Sequence, residues 1–468
     1  MKTFDAIVIG GGPGGYPCAI RLGQLKQKVV CIEKDEPGGV CLNWGCIPSK
    51  ALISAAHYYE RAREGATMGI KVTGVEMDVN ALQDWKGGIV KRLTGGVRSL
   101  LRTNGAELIA GTATITGPKT VEVKLADGGT EQLTAEKGIV VATGSTTIEI
   151  PTFKFDGKQI IGAKEAVSLR SIPKRLLVIG GGIIGLELGT VYQKLGSELT
   201  VVEALPELMT GVDPDCVKVV ERRLTKRGAK IFKGAKALGY EKQSDGSIGV
   251  KIDVGGKAET IVVDVVLVAV GMRPHTKGLG LEQVGVNVDK RGFVPCDSFG
   301  RTNVPSIYSI GDVSGPPLLA HKATKEGEVV AEVIAGHKAA KDWASIPGAI
   351  FTDPEIAVAG LTADEAKAKG IEVVIGKFPF AALGKAMAIG DTEGFVKVVA
   401  DKKTKQVLGV HIVGPEASTM IGEAALSLEM AAFLEDISFT IHPHPTLGEA
   451  LMEAAANAMG AAIHIPNR

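Results

Sequence analysis

The sequence predicts an α/β protein in which one strand–turn–helix–strand unit occurs twice and an α+β domain closes the chain. Three observations predict it. Of 468 residues, 61 are glycine and only 4% are aromatic, the balance of an α/β chain with many tight strand-to-helix turns. Residues 7–33, IVIGGGPGGYPCAIRLGQLKQKVVCIE, align without a gap with residues 177–203, LVIGGGIIGLELGTVYQKLGSELTVVE. After Trp343 the texture changes to strands near 349–359, 372–380 and 394–413 with helices near 363–369 and 416–433.

Composition bounds the rest. A chain this long makes two to four domains, and 45% hydrophobic residues supply large cores. The net charge is +1 with basic residues spread along the chain, so nothing asks for nucleic acid or an anionic membrane. No apolar run reaches the ~20 residues of a membrane span. Met1–Asp5 runs straight into the strand Ala6-Ile7-Val8-Ile9, leaving no room for a targeting peptide, and a cytoplasmic location is the expectation. The six cysteines, at 18, 31, 41, 46, 216 and 296, show no metal-ligand spacing, and no metal is expected.

Each repeat is a Rossmann-like dinucleotide-binding unit. Gly10 and Gly180 allow the tight turn, Gly12 and Gly182 let a pyrophosphate approach the backbone, and Gly15 and Gly185 let helix and strand pack closely. The helix N-terminus then receives the phosphates. Glu33 and Glu203 each stand 23 residues after the first glycine, placed to accept from ribose hydroxyls. A carboxylate at 203 favours a free 2′-hydroxyl, hence NAD over NADP.

A cysteine pair lies about ten residues beyond Glu33, in the run Gly38-Gly39-Val40-Cys41-Leu42-Asn43-Trp44-Gly45-Cys46-Ile47-Pro48-Ser49-Lys50. On a regular helix Cys41 and Cys46 would be about 7.5 Å apart along the axis and face apart. They close a ring only in an irregular turn, which Gly39 and Gly45 make possible; otherwise they are two free thiols. A group that exchanges electrons with both a nicotinamide and a disulfide is a flavin. The first unit is therefore expected to hold FAD and the second NAD.

Further along, residues 46–65 and 90–102 read as helices, and 106–135 as short strands. Ile139–Gly144 and Val265–Gly271 are apolar strands ending in small-residue turns. Ile307–Asp312 is another strand, whose Asp312 either accepts from sugar hydroxyls or caps the helix starting near Leu319. His444-Pro445-Thr446-Leu447-Gly448-Glu449 reads two ways. Thr446 and Glu449 form a capping box, or Glu449 orients His444 as a general acid/base; both can hold at once. His442 reads as a loop residue.

Together these motifs resemble the pyridine nucleotide–disulfide oxidoreductases over nearly the whole chain. The resemblance implies an FAD-binding domain at 1–147, an NAD-binding domain at 148–271, a segment at 272–343 completing the first, and an interface domain at 344–468. It implies that Cys41 is the interchange thiol, Cys46 the flavin-side sulfur, and Lys50, paired with Glu187, the contact to the flavin ring. Thr143, Gly144, Ser145, Asp312, Ala320 and His321 match FAD-contacting positions; Ala113 and Ala237 match further cofactor contacts, and Gly271 a turn near NAD. His444, oriented by Glu449, would act across a homodimer interface. The implied activity is oxidation of protein-bound dihydrolipoyl groups with NAD⁺, serving a 2-oxo acid dehydrogenase or glycine cleavage complex through its lipoyl-bearing proteins and core subunit. Trp44, where the family often has a small aliphatic residue, and His275, where asparagine is commoner, depart from the pattern.

Overall fold

A computed structural model describes residues 2–467. The first glycine unit forms a parallel sheet. Its strands Ala106–Ala110, Val29–Glu33, Lys2–Ile9, Gly138–Val141 and Ile307–Ser309 lie side by side in that order. Near-continuous apolar runs such as Ala6–Ile9 and Val29–Ile32 are buried, as strands covered on both faces must be. The helices Gly15–Gln24 and Ala320–Ile334 pack against each other over one face.

The second unit repeats the plan. Lys230–Lys233, Glu198–Glu203, Arg175–Ile179, Val265–Val268 and Ile160–Ile161 form a five-stranded parallel sheet. The first sheet carries an antiparallel excursion through Ala106–Gly117, Thr120–Leu125 and Thr130–Val141, and the second unit adds a separate three-stranded antiparallel sheet, Ala235–Lys242, Ile248–Val254 and Lys257–Val263. A two-stranded ribbon, Ser145–Thr147 with Met272–Pro274, marks where the chain leaves the first sheet and returns. Its register is antiparallel, so exit and entry lie side by side.

The C-terminal part is a five-stranded antiparallel sheet, Gly348–Ile350, Glu355–Gly360, Val407–Gly414, Phe395–Asp401 and Val373–Pro379 in order. The helices Ala417–Glu429 and Glu449–Ala458 pack on it, around buried Phe378, Phe380 and Leu451.

Two expectations are corrected. The helix expected over 90–102 runs from Val79 to Thr103, capped by Asp78, whose carboxylate accepts from Asn80 and Ala81 N–H at 2.9 and 3.0 Å. The pairs Gly87–Gly88 and Gly95–Gly96 interrupt its apolar period. They face open space, where glycine costs helix propensity but no packing. The strands of 106–135 are not all short: Ala106–Gly117 and Thr130–Val141 each have 12 residues, because each serves the parallel sheet at one end and the antiparallel excursion at the other.

Candidate active site

The cysteine run adopts the irregular turn that its spacing demands. Gly38 and Gly39 take φ of +102° and +57°, and a short helix, Gly39–Asn43, carries Cys41. The chain breaks at Trp44 and Gly45, and Cys46 opens the helix Cys46–Glu64. A Cβ on Gly45 would lie 2.8 Å from the Val40 carbonyl oxygen, so a side chain there would prise the turn open. The Asn43 amide laces it by donating to the Glu36 and Gly39 carbonyls at 3.1 and 2.9 Å. Cys41 and Cys46 are thereby in hydrogen-bonding contact, both as half-buried thiols.

Their ionisations are unlike. The Cys46 thiol is drawn down to about 7, first by the hydrogen bond from Cys41 and also by the Lys50 ammonium, against the opposing effect of burial. Cys41 is pushed far above an ordinary thiol by that same shared proton and by burial. Charge in the dithiol gathers on Cys46, at the positive end of its helix. One turn further, Lys50 Nζ donates to Glu187 Oε2 at 2.9 Å and lies 4.5 Å from the centre of the Phe351 ring. Glu187 is 4% exposed, and its other oxygen accepts from Phe351 N–H at 2.8 Å.

A single cleft of about 1590 Å³ joins both glycine turns to this pair. From the first sheet come Gly10, Gly12, Glu33, Ala113, Thr143, Gly144, Ser145, Asp312, Ala320 and His321; from the second, Gly180, Gly182, Glu203, Ala237 and Gly271. Cys41, Cys46, Lys50 and Glu187 line the same cleft. Gly15 and Gly185 do not line it. They lie beneath, where a Cβ would stand 1.7 and 2.3 Å from the Gly10 and Gly180 carbonyls.

The glycine turns fit dinucleotides. Gly10 and Gly180 have φ of +102° and +105°, and a Cβ on either would strike the end of the neighbouring strand at 2.4 or 2.5 Å. Gly182, by contrast, has nothing within 4 Å, and Gly12 only the Gly39 backbone at 3.8 Å: that space is left for a phosphate. Glu33 accepts from Gly11 and Asp35 N–H at 2.7 and 2.9 Å. Glu203 does the same with Gly181 and Leu205 at 2.6 and 2.7 Å. Each carboxylate is locked in place and keeps a lone pair on each oxygen for a ribose.

Asp312 does not cap the following helix, which starts at Ala320 without a side-chain cap. It accepts from Ser145 Oγ at 2.5 Å instead, and burial raises its carboxyl above the ordinary range. Behind it lies a device the sequence reading missed. Glu326 Oε2 accepts from Gly311 N–H at 2.7 Å, and Lys322 Nζ donates to the Gly311 and Gly315 carbonyls at 3.1 and 2.9 Å. Both are nearly fully buried. The available signal was an (i, i+4) charge pair on the apolar face of a helix. Phe351 was also missed and carries no local signal. Of the two departures, His275 donates its backbone N–H to Gly144 O at 2.9 Å, accepts from the Thr143 hydroxyl at its own carbonyl at 2.7 Å and sets its imidazole 3.1 Å from Lys34 Nζ; both His275 and Trp44 line the cleft.

His444 and Glu449 lie apart from the cleft. His444 Nδ1 is 2.9 Å from Glu449 Oε1, and the imidazole is 77% exposed. The other carboxylate oxygen accepts from Thr446 N–H at 2.8 Å. Only half of the expected capping box forms, because the Thr446 hydroxyl donates to Pro443 O at 2.8 Å and the helix begins at Glu449 itself. Glu449 therefore serves both the cap and the histidine, and sits below the usual carboxylate range: burial raises it, but the Thr446 N–H and His444 outweigh that. His442 is a loop residue held to Thr440 O and Glu423 at 2.8 and 2.9 Å.

The pyridine nucleotide-disulphide oxidoreductase family matches residues 4–327, and its dimerisation domain matches residues 346–455. Dihydrolipoyl dehydrogenase of Geobacillus stearothermophilus is 47% identical over 98% of this chain and 97% of its own. That of Thermus scotoductus is 48% identical over the full length of both. The mitochondrial dihydrolipoyl dehydrogenase of Sus scrofa is 44% identical over 98% of this chain and 92% of its own. Among solved structures, LpdA from Mycobacterium tuberculosis superposes with a TM-score of 0.90 at 25% identity, covering 97% of this chain and 99% of that one.

Proposed function

Because the chain belongs to the pyridine nucleotide-disulphide oxidoreductases, enzymes that use FAD and NAD⁺, we propose that it oxidises dihydrolipoyl groups through a Cys41–Cys46 redox disulfide. The observation that carries this reading is the thiol pair set between two glycine turns in one cleft, with its charge drawn to Cys46.

In the thiol half-reaction, the partner subunit's His444 takes a proton from one dihydrolipoyl thiol. The thiolate attacks Cys41 Sγ; the Cys41–Cys46 bond breaks and Cys46 leaves as thiolate. The second lipoyl thiol then attacks the lipoyl sulfur of the mixed disulfide, closing the lipoyl disulfide and displacing Cys41, which takes up that thiol's proton and is left as a free thiol. Lys50 and the helix N-terminus hold the Cys46 charge, and Glu449 holds the imidazole in one orientation. Bound FAD would supply two-electron redox chemistry between the dithiol and NAD⁺. The first glycine turn, Glu33 and Asp312 would hold FAD; the second, with Glu203, would hold NAD.

Exposure of His444, its distance from its own chain's cleft and the dimerisation domain favour a homodimer with shared active sites. The sequence division at 147, 271 and 343 follows the same reading, with the Ser145–Thr147 and Met272–Pro274 ribbon at two of the boundaries. The lipoyl group comes from the lipoyl-bearing protein of a 2-oxo acid dehydrogenase or glycine cleavage complex, whose core subunit is the docking partner. A cytoplasmic site belongs to this reading; among the described residues no helix is long and apolar enough to cross a membrane.

Anaerobic titration of the holoenzyme with dihydrolipoamide tests it. A long-wavelength thiolate-to-flavin band is expected in wild type and lost in Cys46→Ser, together with lipoamide turnover. Full turnover in Cys46→Ser would sink the scheme.

A further inference from the structure

The helix Glu449–Ala458 carries a second carboxylate one turn beyond Glu449. Glu453 is 4% exposed and its Oε1 lies 2.7 Å from Nδ1 of His464. Its other oxygen accepts from the Ile463 and His464 N–H groups at 3.2 and 3.3 Å. The tail bearing His464 is itself fastened. Ala461 N–H donates to Ala456 O at 2.9 Å, and Asn467 closes a loop with both backbone groups of Ala462 at 2.8 and 2.9 Å. Residues four apart are neighbours on a helix face. Two imidazole–carboxylate pairs, His444–Glu449 and His464–Glu453, therefore stand on successive turns of one helix. His464 is close enough to Glu449 to help hold its carboxyl down.

We infer that His464 and Glu453 are positioning residues for the proton-transferring pair: the folded-back tail sets the charge beside Glu449 and through it the ease with which His444 takes a proton. This rests on the reading of His444 as the base. Glu453 is buried, so its charge is poorly screened. In place, the His464 imidazole gives Glu453 Oε1 its donor. Without it, two long backbone contacts remain, and more of the anionic field falls on Glu449 and His444.

Charged groups on the elements packed against this helix are engaged elsewhere or exposed. Asp436 accepts from Phe433 N–H at 2.7 Å, and Glu435 is exposed. Lys377 pairs with Asp215 at 3.7 Å, Lys397 with Asp213 at 2.8 Å, and Asp401 accepts from Lys403 N–H at 2.8 Å. On the His444 loop, His442 is taken by Glu423.

The test is the pH profile of kcat/KM for dihydrolipoamide in the holoenzyme. Wild type, His464→Gln, His464→Lys, Glu453→Gln and His444→Gln are compared, with NADH-to-dye transfer normalising each and sizing to check assembly. Removing the imidazole should move the acid limb up by about half a pH unit, and removing the carboxylate should move it down. His464→Lys restores a donor and should return the limb toward wild type. A strap with only a structural role would shift no limb, or shift both variants alike, and either result overturns the inference while an inactive His444→Gln leaves the base reading standing. So would a His464→Gln protein that merely falls to monomers. If His444→Gln keeps full thiol turnover, the base reading itself fails. Should Glu453→Gln not fold, the His464→Gln shift and its reversal by His464→Lys decide the matter.

Discussion

Cys46 is a thiol poised at about 7 because three groups converge on it: the Cys41 hydrogen bond, the Lys50 ammonium and a helix N-terminus. Its thiolate fraction should rise as pH rises through 7 in the two-electron-reduced enzyme, read by thiolate absorbance. Lys50→Met removes a cation and leaves buried Glu187 unpaired, so the titration should move up by about 1 unit or more. An unmoved titration would show that Lys50 does not govern the thiol. The same residues show what a sequence can and cannot disclose. The glycines, Glu33 and Glu203 were legible because their role is fixed by the local path of a strand–turn–helix unit. The cysteine spacing was legible as a need for an irregular turn. Phe351, which touches Lys50 and Glu187 from more than 150 residues away in the chain, has no local pattern to reveal it.

Helices tell a similar story. Cys46–Glu64 and Ile183–Lys194 are joined at both ends: Lys50 to Glu187 near their starts, and Glu60 to Lys194 at 3.1 Å near their ends. Lys194, only 4% exposed, also holds Asp353 at 2.5 Å, and Arg227 reaches both acids at 2.7 Å. One buried lysine thus fastens the cysteine helix, the second glycine helix and the segment leading from Phe351. Lys194→Met should cost about 3–5 kcal/mol in denaturant stability, since it leaves buried acids short of a cation. Burial would raise the Asp353 carboxyl, but Lys194 and Arg227 hold it well below its ordinary value of 3.8. A depressed carboxyl stabilises the fold fully above that value and ceases to do so as pH falls through its folded value. The gap between wild type and Lys194→Met should therefore narrow only on strong acidification; a gap constant down to that range would argue for lost packing alone. The network could not be read in advance, because each ion is unremarkable until three distant segments meet. The helix Val79–Thr103 was half-read for the opposite reason, its glycine pairs weakening a pattern that the fold tolerates.

For the whole molecule, the proposed sharing of active sites between subunits makes a quantitative demand. A Cys46→Ser subunit still offers an intact His444, and a His444→Gln subunit still offers an intact dithiol. Mixed and re-associated at equal amounts, these two inactive proteins should recover about a quarter of wild-type sites, the share expected of one good site per heterodimer in random pairing. No recovery despite proven subunit exchange would place the histidine and the thiols of one site in the same chain. At this scale the repeat made the architecture legible: two copies of one motif predicted two sheets, and two parallel sheets were found that share the order of four strands and differ in the origin of the fifth. What the repeat hid was how the sheets are finished. The outermost strand of the first, Ile307–Ser309, lies beyond the entire second unit in the chain. During synthesis the N-terminal sheet must therefore emerge from the ribosome with the edge of Thr130–Val141 open, and it waits there while some 160 further residues are made. An unpaired strand edge invites the wrong neighbour. The order of translation, rather than the final stability, is where this chain is most exposed to misassembly, and slowing elongation between the two units should raise the aggregated fraction of newly made protein.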